Sequence, residues 1–429
     1  MSVSIAIVGC MKIQGGISES ALCESPLTYR GYCSRLFTFC LSLILKEHYS
    51  KVFCNKMNRI HNNGIQFIHW IQNYEHLEPL FTVVSHIGSP NTAYSLTFPT
   101  AYYIDPTLGI TTILCAALAD WLNGILKWML YGHRPYWWLT LNRSLTDPDL
   151  SVKQYPLTCE TGPGSPSGHC MVTVASLTPI ITYFYHKLKT RNHQRCLITL
   201  SCLVFGLIAL SRCYLAAHFP HQVILGLISG IAVGLLFSLP GSFLSSKNEV
   251  KINCLHVQTV YLLSHPNRLL WLGFGSFMFA YVFSAFLEYG IKVDPNWSIT
   301  LAQSACLRPE WIHLSTSLMM GFSRIAGTAT GLSLGLRLKP THSKQSVLDT
   351  NSLPIILFSL TIVVISTRLM ESMCNQIISL STINISNEVM KSHFNMLYLF
   401  NSFLQGTICP FVTVFIVPTG MNLFHRKYN

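Results

Sequence analysis

Long apolar runs separated by short polar connections recur along most of this chain. They lie at roughly Leu80 to Tyr103, Leu108 to Tyr131, His169 to Tyr185, Cys196 to Leu210, His221 to Leu239, Leu269 to Phe286, Ile312 to Leu334, Leu353 to Met370 and Met396 to Pro418. Each approaches the ~20 residues that cross a bilayer as a helix. The pattern predicts an all-α fold, a polytopic membrane helical bundle with about nine transmembrane helices. Several runs are short or contain Pro, Gly or His, so breaks within them are expected.

Composition supports the same class. Half of the 429 residues are hydrophobic and only 11% are charged, against about 25% in ordinary globular proteins, and the mean hydropathy is +0.39. A soluble enzyme is excluded on this ground. Lys187, Lys189, Arg191 and Arg195 crowd one connection, Lys247 and Lys251 another, Arg337, Lys339 and Lys344 a third, and Arg426 and Lys427 the tail. The positive-inside rule places these in the cytosol and the alternate loops in a lumen or outside. The Asn-x-Ser sequons at Asn142, Asn296 and Asn384 fall in those alternate loops, and glycosylation requires that side. Asn142, between two motifs described below, is the expected glycan carrier. The +12 net charge reflects this loop bias and forms no long basic run, so no nucleic-acid partner is expected.

Most of the 15 cysteines lie in apolar runs and behave as small hydrophobes. Cys159 and Cys306 lie in loops on the non-cytosolic side, where a disulfide is permitted but not fixed by spacing. Residues 1–56 differ from the rest: one apolar patch, Leu36 to Leu45, follows Lys12, Arg30 and Arg35 without a small-x-small cleavage site. This segment reads as an accessory extension or as sequence upstream of a start at Met57, with a signal anchor as the alternative. Residues 57–429 read as one multi-span domain.

Three stretches place ionisable residues at the mouths of spans, where charge is expensive. In "KWMLYGHRPYWW", Lys127 and Arg134 are seven apart, two helical turns, and can converge on one anion; the competing reading is an aromatic belt with snorkelling cations. In "TGPGSPSGHC", Ser167 is a natural N-cap, Gly168 lets an oxyanion approach the backbone, helix-terminal N–H groups attract phosphate, and His169 stands at that mouth. Alone this would be an ordinary capped loop. In "SRCYLAAHFPHQ", Arg212 offers a planar fork for phosphate and His218 follows after the small pair Ala216 and Ala217, while His221 reads as structural.

Together, Lys127, Arg134, Ser167, His169, Arg212 and His218 resemble the three-part signature K-x6-RP, PSGH, SR-x5-H of the type 2 phosphatidic acid phosphatase and vanadium haloperoxidase superfamily. "DWLNGILKWMLYGHRPYWW", "CETGPGSPSGHC" and "SRCYLAAHFPHQV" resemble glucose-6-phosphatase catalytic subunits more narrowly, from about Met57 to the tail. The resemblance implies a PAP2-like core at about residues 108–240 within an endoplasmic reticulum membrane protein whose active site faces the lumen. It also implies hydrolysis of D-glucose 6-phosphate, in glucose homeostasis, through a phosphohistidine and without a cofactor or metal. His218 is then the nucleophile and His169 the proton donor, with Lys127, Arg134, Ser167, Gly168 and Arg212 binding phosphate. The implied partners are the sugar phosphate, membrane lipids and a glucose-6-phosphate transporter. Many superfamily members carry an acidic residue four positions after the last histidine; here it is Gln222, so His218 needs another acceptor, a carbonyl or Asp120. A lipid phosphate phosphatase shares the six residues but usually has about six spans; a non-catalytic paralogue is the remaining alternative.

Overall fold

The computed structural model describes residues 56–143, 146, 150–238, 265–338, 353–382 and 388–421. The N-terminal patch at 36–45, the basic residues Lys247, Lys251, Lys339, Lys344, Arg426 and Lys427, and the sequon Asn384 lie outside them. Among the described residues there is no strand, only a single bridge between Glu160 and His313. Five helical segments are both long and apolar enough to cross a membrane: Pro106–Leu141, Arg191–Tyr214, Pro220–Ser238, Pro266–Gly290 and Met396–Met421. The helices Gly168–Lys187, Leu318–Leu338 and Leu353–Thr382 add three more of spanning length. The protein is a multi-pass helical membrane protein, and the count of nine is not established.

Local sequence sets the helix limits. Asp105 accepts from the backbone N–H groups of Thr107 and Leu108, and Pro106 opens the first long helix, Pro106–Leu130. Thr190 caps Arg191–Tyr214 through the His193 N–H. The run Leu80 to Tyr103 is interrupted: Glu78–Ile87 ends at Gly88, and Ser89 caps a new start at Pro90 that continues to Ile104. A proline cannot donate to the preceding turn, so the apolar run cannot stay one straight helix.

Two groups of helices pack side by side. Pro106–Leu130, Gly168–Lys187, Arg191–Tyr214 and Pro220–Ser238 form one; Pro266–Ala285, Leu318–Leu338 and Glu388–Phe411 form the other, joined through Leu318–Leu338 against Pro106–Leu130. In the first group, Gly226, Gly230 and Gly234 repeat every four residues and face Ser167, Met171 and Thr178, where a Cβ at Gly230 would stand 2.5 Å from the Met171 carbonyl oxygen. Small residues at that spacing let two membrane helices approach at backbone distance. Leu200, Leu203, Ile228, Trp271 and Val282 point outward, as lipid-facing side chains do.

Candidate active site

The site forms where the connections following Leu130, Leu141 and Tyr214 meet the segment before Leu318. Lys127 and Arg134 do not share a helical face. The helix stops at Leu130, Tyr131 takes a left-handed conformation (φ 47), and Arg134 stands at the start of a separate helix, Pro135–Leu141. The seven-residue spacing is therefore bridged by a turn, and the carbonyls of the glycine loop take Arg134 instead. Arg134 Nε donates to the Gly162 carbonyl at 2.7 Å and Nη1 to the Ala217 carbonyl at 2.9 Å.

The glycine loop is short of side chains because backbone and cations occupy that space. A Cβ at Gly164 would lie 2.7 Å from the His133 carbonyl and 2.8 Å from Gln222 Oε1; one at Gly162 would lie 2.9 Å from the Thr316 carbonyl. At Gly168, Asn123 Oδ1 would be 3.2 Å away and Lys127 Nζ 3.9 Å, so the start of the helix is open toward Lys127. Asn123 fixes this loop by donating to the Pro166 carbonyl at 3.1 Å. Ser167 occupies the cap position of Gly168–Lys187, but its hydroxyl makes no cap hydrogen bond; the capping expected of it is absent, and the side chain is fully buried.

After Arg212 the chain turns sharply. Ala216 is left-handed (φ 51), and the Ala217 and His218 N–H groups both donate to the Arg212 carbonyl. His218 is thereby turned back beneath the guanidiniums. Its Nδ1 lies 2.7 Å from the Gly164 carbonyl. A carbonyl can only accept, so Nδ1 carries the proton and Nε2 keeps its lone pair. This carbonyl takes the place of the missing acid: Gln222 bonds the Phe219 N–H and the His133 carbonyl, and Asp120 is paired with Tyr94 and faces Arg324 at 4.0 Å. Burial, and next the Arg134 guanidinium with Nη1 3.3 Å from Nε2, hold the His218 ring well below the usual 6.5. The imidazole is neutral. His221 stacks on Phe219 and lies tilted against His61.

One central residue was not singled out from the sequence. Glu160 Oε2 lies 2.9 Å from Arg134 Nη2 and 3.8 Å from His218 Nε2; its Oε1 lies 2.5 Å from Arg212 Nη2 and 3.6 Å from His169 Nδ1. Burial pushes the Glu160 carboxyl up, but the Arg212 and Arg134 guanidiniums outweigh it and hold the group well below its ordinary 4.5. Glu160 directly precedes the glycine loop, and a lone acid beside that motif was the available signal. Ser85, which receives Arg212 Nη1 at 2.6 Å, had no signal at all.

Lys127, Gly168, His169, Arg212 and Glu160 line a cavity of about 540 Å³, while Arg134, Ser167 and His218 are fully buried behind it. Cys159, next to Glu160, is disulfide-bonded to Cys306, and the His313 N–H donates to the Cys159 carbonyl at 3.0 Å. Asn142, the expected glycan carrier, is 6% exposed, and its Nδ2 donates to the Trp138 carbonyl at 3.0 Å. Asn296, by contrast, is exposed.

The PAP2 superfamily profile matches residues 108–240. Bovine glucose-6-phosphatase catalytic subunit 1 is 38% identical over 291 residues, 65% of this chain and 76% of the relative. The cat subunit 1 is 36% identical over 69% of this chain and 80% of the relative, and bovine glucose-6-phosphatase 3 is 34% identical over 64% and 75%. No solved structure matches. With identity of this level running through most of each relative, the chain belongs to the glucose-6-phosphatase catalytic subunit family.

Proposed function

We propose that this protein is a sugar-phosphate phosphatase that hydrolyses glucose 6-phosphate in two displacements on one phosphorus. The observation that carries the reading is the convergence of Arg134, Arg212, His169 and His218 within 3.8 Å of a single pair of carboxylate oxygens. An anion is already held at that point, between two imidazoles. In the first step, neutral His218 Nε2 attacks phosphorus, the bond to the sugar oxygen breaks, and protonated His169 gives that oxygen its proton. In the second, His169 takes a proton from water, the water oxygen attacks, and the phosphorus–nitrogen bond breaks to release inorganic phosphate. Arg134, Arg212, Lys127 and the backbone at Ser167 and Gly168 neutralise the equatorial oxygens. The glucose preference comes from the relatives' names.

Residence in the endoplasmic reticulum membrane with the site facing the lumen is supported by the exposed basic connection Lys187 to Arg191, at the far end of the Gly168–Lys187 helix from His169. The Cys159–Cys306 disulfide beside the site also fits an oxidising lumen. A cytosolic substrate then needs a separate transporter, and the outward apolar side chains need lipid. The test is rapid quenching of the full-length protein with labelled glucose 6-phosphate. An acid-labile phosphoenzyme that is absent from His218→Ala supports the reading; a wild type that turns over rapidly and never forms one refutes the covalent route.

A further inference from the structure

We propose that Glu160 is the resident counter-anion of this site. Its carboxylate occupies the phosphate position in the empty protein, must be displaced before phosphorus can reach His218, and on its return drives inorganic phosphate out. The inference rests on the phosphate-ester reading above.

Position and access both require the exchange. A phosphate held by Arg134 and Arg212 within reach of His218 Nε2 would occupy the space that the Glu160 oxygens fill at 2.5–3.8 Å from those groups. His218 and Arg134 have no exposed surface, and the cavity ends on Lys127, His169, Arg212 and Glu160. The carboxylate therefore lies between the entering ligand and the nucleophile. Two anions in one buried pocket repel each other, so the weaker one leaves.

Glu160 is not placed to orient either imidazole. His218 Nδ1 is committed to the Gly164 carbonyl, and Nε2, which accepts from Arg134 Nη1 at 3.3 Å, has no proton to give the carboxylate 3.8 Å away. His169 Nδ1 at 3.6 Å is beyond hydrogen-bond length. Among the described residues, the two arginines are the side chains that bond the carboxylate at hydrogen-bond distance. They hold it incompletely, because Arg212 Nε is buried without a partner, and a phosphate dianion brings the additional oxygens and charge that this donor lacks.

The backbone is anchored while the side chain has room to swing. The Glu160 N–H donates to the Thr158 carbonyl, its own carbonyl receives the Tyr136 hydroxyl at 3.0 Å, and the bridge to His313 and the disulfide at Cys159 fix both flanks. The adjoining cavity can receive the displaced carboxylate. A fixed backbone brings the carboxylate back to the same place after each turnover, so the occupied fraction lowers phosphate affinity for substrate and product alike.

The experiment uses the full-length protein in detergent, with vanadate and inorganic phosphate as competitive inhibitors and thermal unfolding with and without phosphate. For Glu160→Gln the expected result is inhibition constants for both anions about tenfold lower, equivalent to about 1.4 kcal/mol of self-pairing. KM should fall, and kcat should fall with it as phosphate leaves more slowly. The ligand-free variant should melt below wild type and gain more from phosphate than wild type does, because two buried guanidiniums have lost their anion. Should Glu160→Gln fail to accumulate, Glu160→Asp, whose carboxylate is drawn back by one methylene, should show the same tightening in smaller degree. Inhibition constants unchanged or raised in the folded variants overturn the proposal while leaving the phosphatase reading intact. A wild type that neither hydrolyses sugar phosphate nor responds to vanadate overturns both.

Discussion

At the residue scale, the two histidines are set apart by what each ring nitrogen touches. His218 gives its Nδ1 proton to the Gly164 carbonyl and is completely buried, whereas His169 stands at the cavity wall with its side chain 15% exposed. His169→Ala should lower turnover of a sugar phosphate by about 10²–10⁴, and by much less for an ester whose leaving group needs no proton; steady-state rates on the two substrates check this. Arg134→Ala and Arg212→Ala should lose both. The buried neutral His218 also carries a pH dependence with a definite sign. Its folded pKa is held below the 6.5 of the unfolded chain, so the unfolded state binds more protons as pH falls below 6.5, and stability is lost in that direction. Glu160, held below 4.5, adds a second loss at lower pH. Melting temperature in detergent should fall as pH is lowered through 6.5, and His218→Asn should make that limb shallower without removing it, because burial of the His133 and His221 rings adds to it.

At the element scale, close helix approach places the chemistry. Gly226, Gly230 and Gly234 set Pro220–Ser238 against Gly168–Lys187, so that a Cβ at Gly226 would stand 2.7 Å from the Ser167 carbonyl. His218, just before one helix, and His169, at the start of the other, are held together by that contact. Gly230→Leu should push the Met171 backbone away, destabilise by about 1–3 kcal/mol or more, and lower activity with it; thermal unfolding and turnover are the readouts. Gly164→Ala acts more locally. Its Cβ would meet the His133 carbonyl and Gln222, shifting the carbonyl that orients His218, so kcat should fall more than melting temperature.

At the scale of the whole molecule, one disulfide ties the loop before the glycine motif to the connection preceding Leu318. Replacing Cys159 and Cys306 together by Ser should cost about 2–4 kcal/mol and lower turnover, since the loop that carries Glu160 and the connection at His313 lose their tether. Reductant should reproduce the effect in wild type, and unfolding with and without it is the measurement. If the site faces the lumen, sealed microsomes without a transporter should show little activity until permeabilised. Glycan, where present, should sit on the exposed Asn296 and not on the buried Asn142, which band shifts of Asn296→Gln and Asn142→Gln distinguish.

Much of this was legible before any coordinates. Continuous apolar runs of bilayer length and scarce charge dictate a helical membrane protein, because a run of that length satisfies its own backbone in lipid as a helix, whereas barrel strands are shorter and alternate. The rarity of cations at span mouths made Lys127, Arg134 and Arg212 stand out, and the two histidines with them. The tertiary structure decided what spacing cannot encode. Lys127 and Arg134 are separated by a left-handed turn at Tyr131, which no helical period reveals. The acceptor for His218 is a backbone carbonyl, invisible to side-chain motifs. Ser85 is 127 positions from the arginine it supports. Glu160 reads in sequence as one acid before a loop; only the fold sets its carboxylate between four basic side chains, because that convergence depends on a disulfide and a helix contact whose partners lie far apart along the chain.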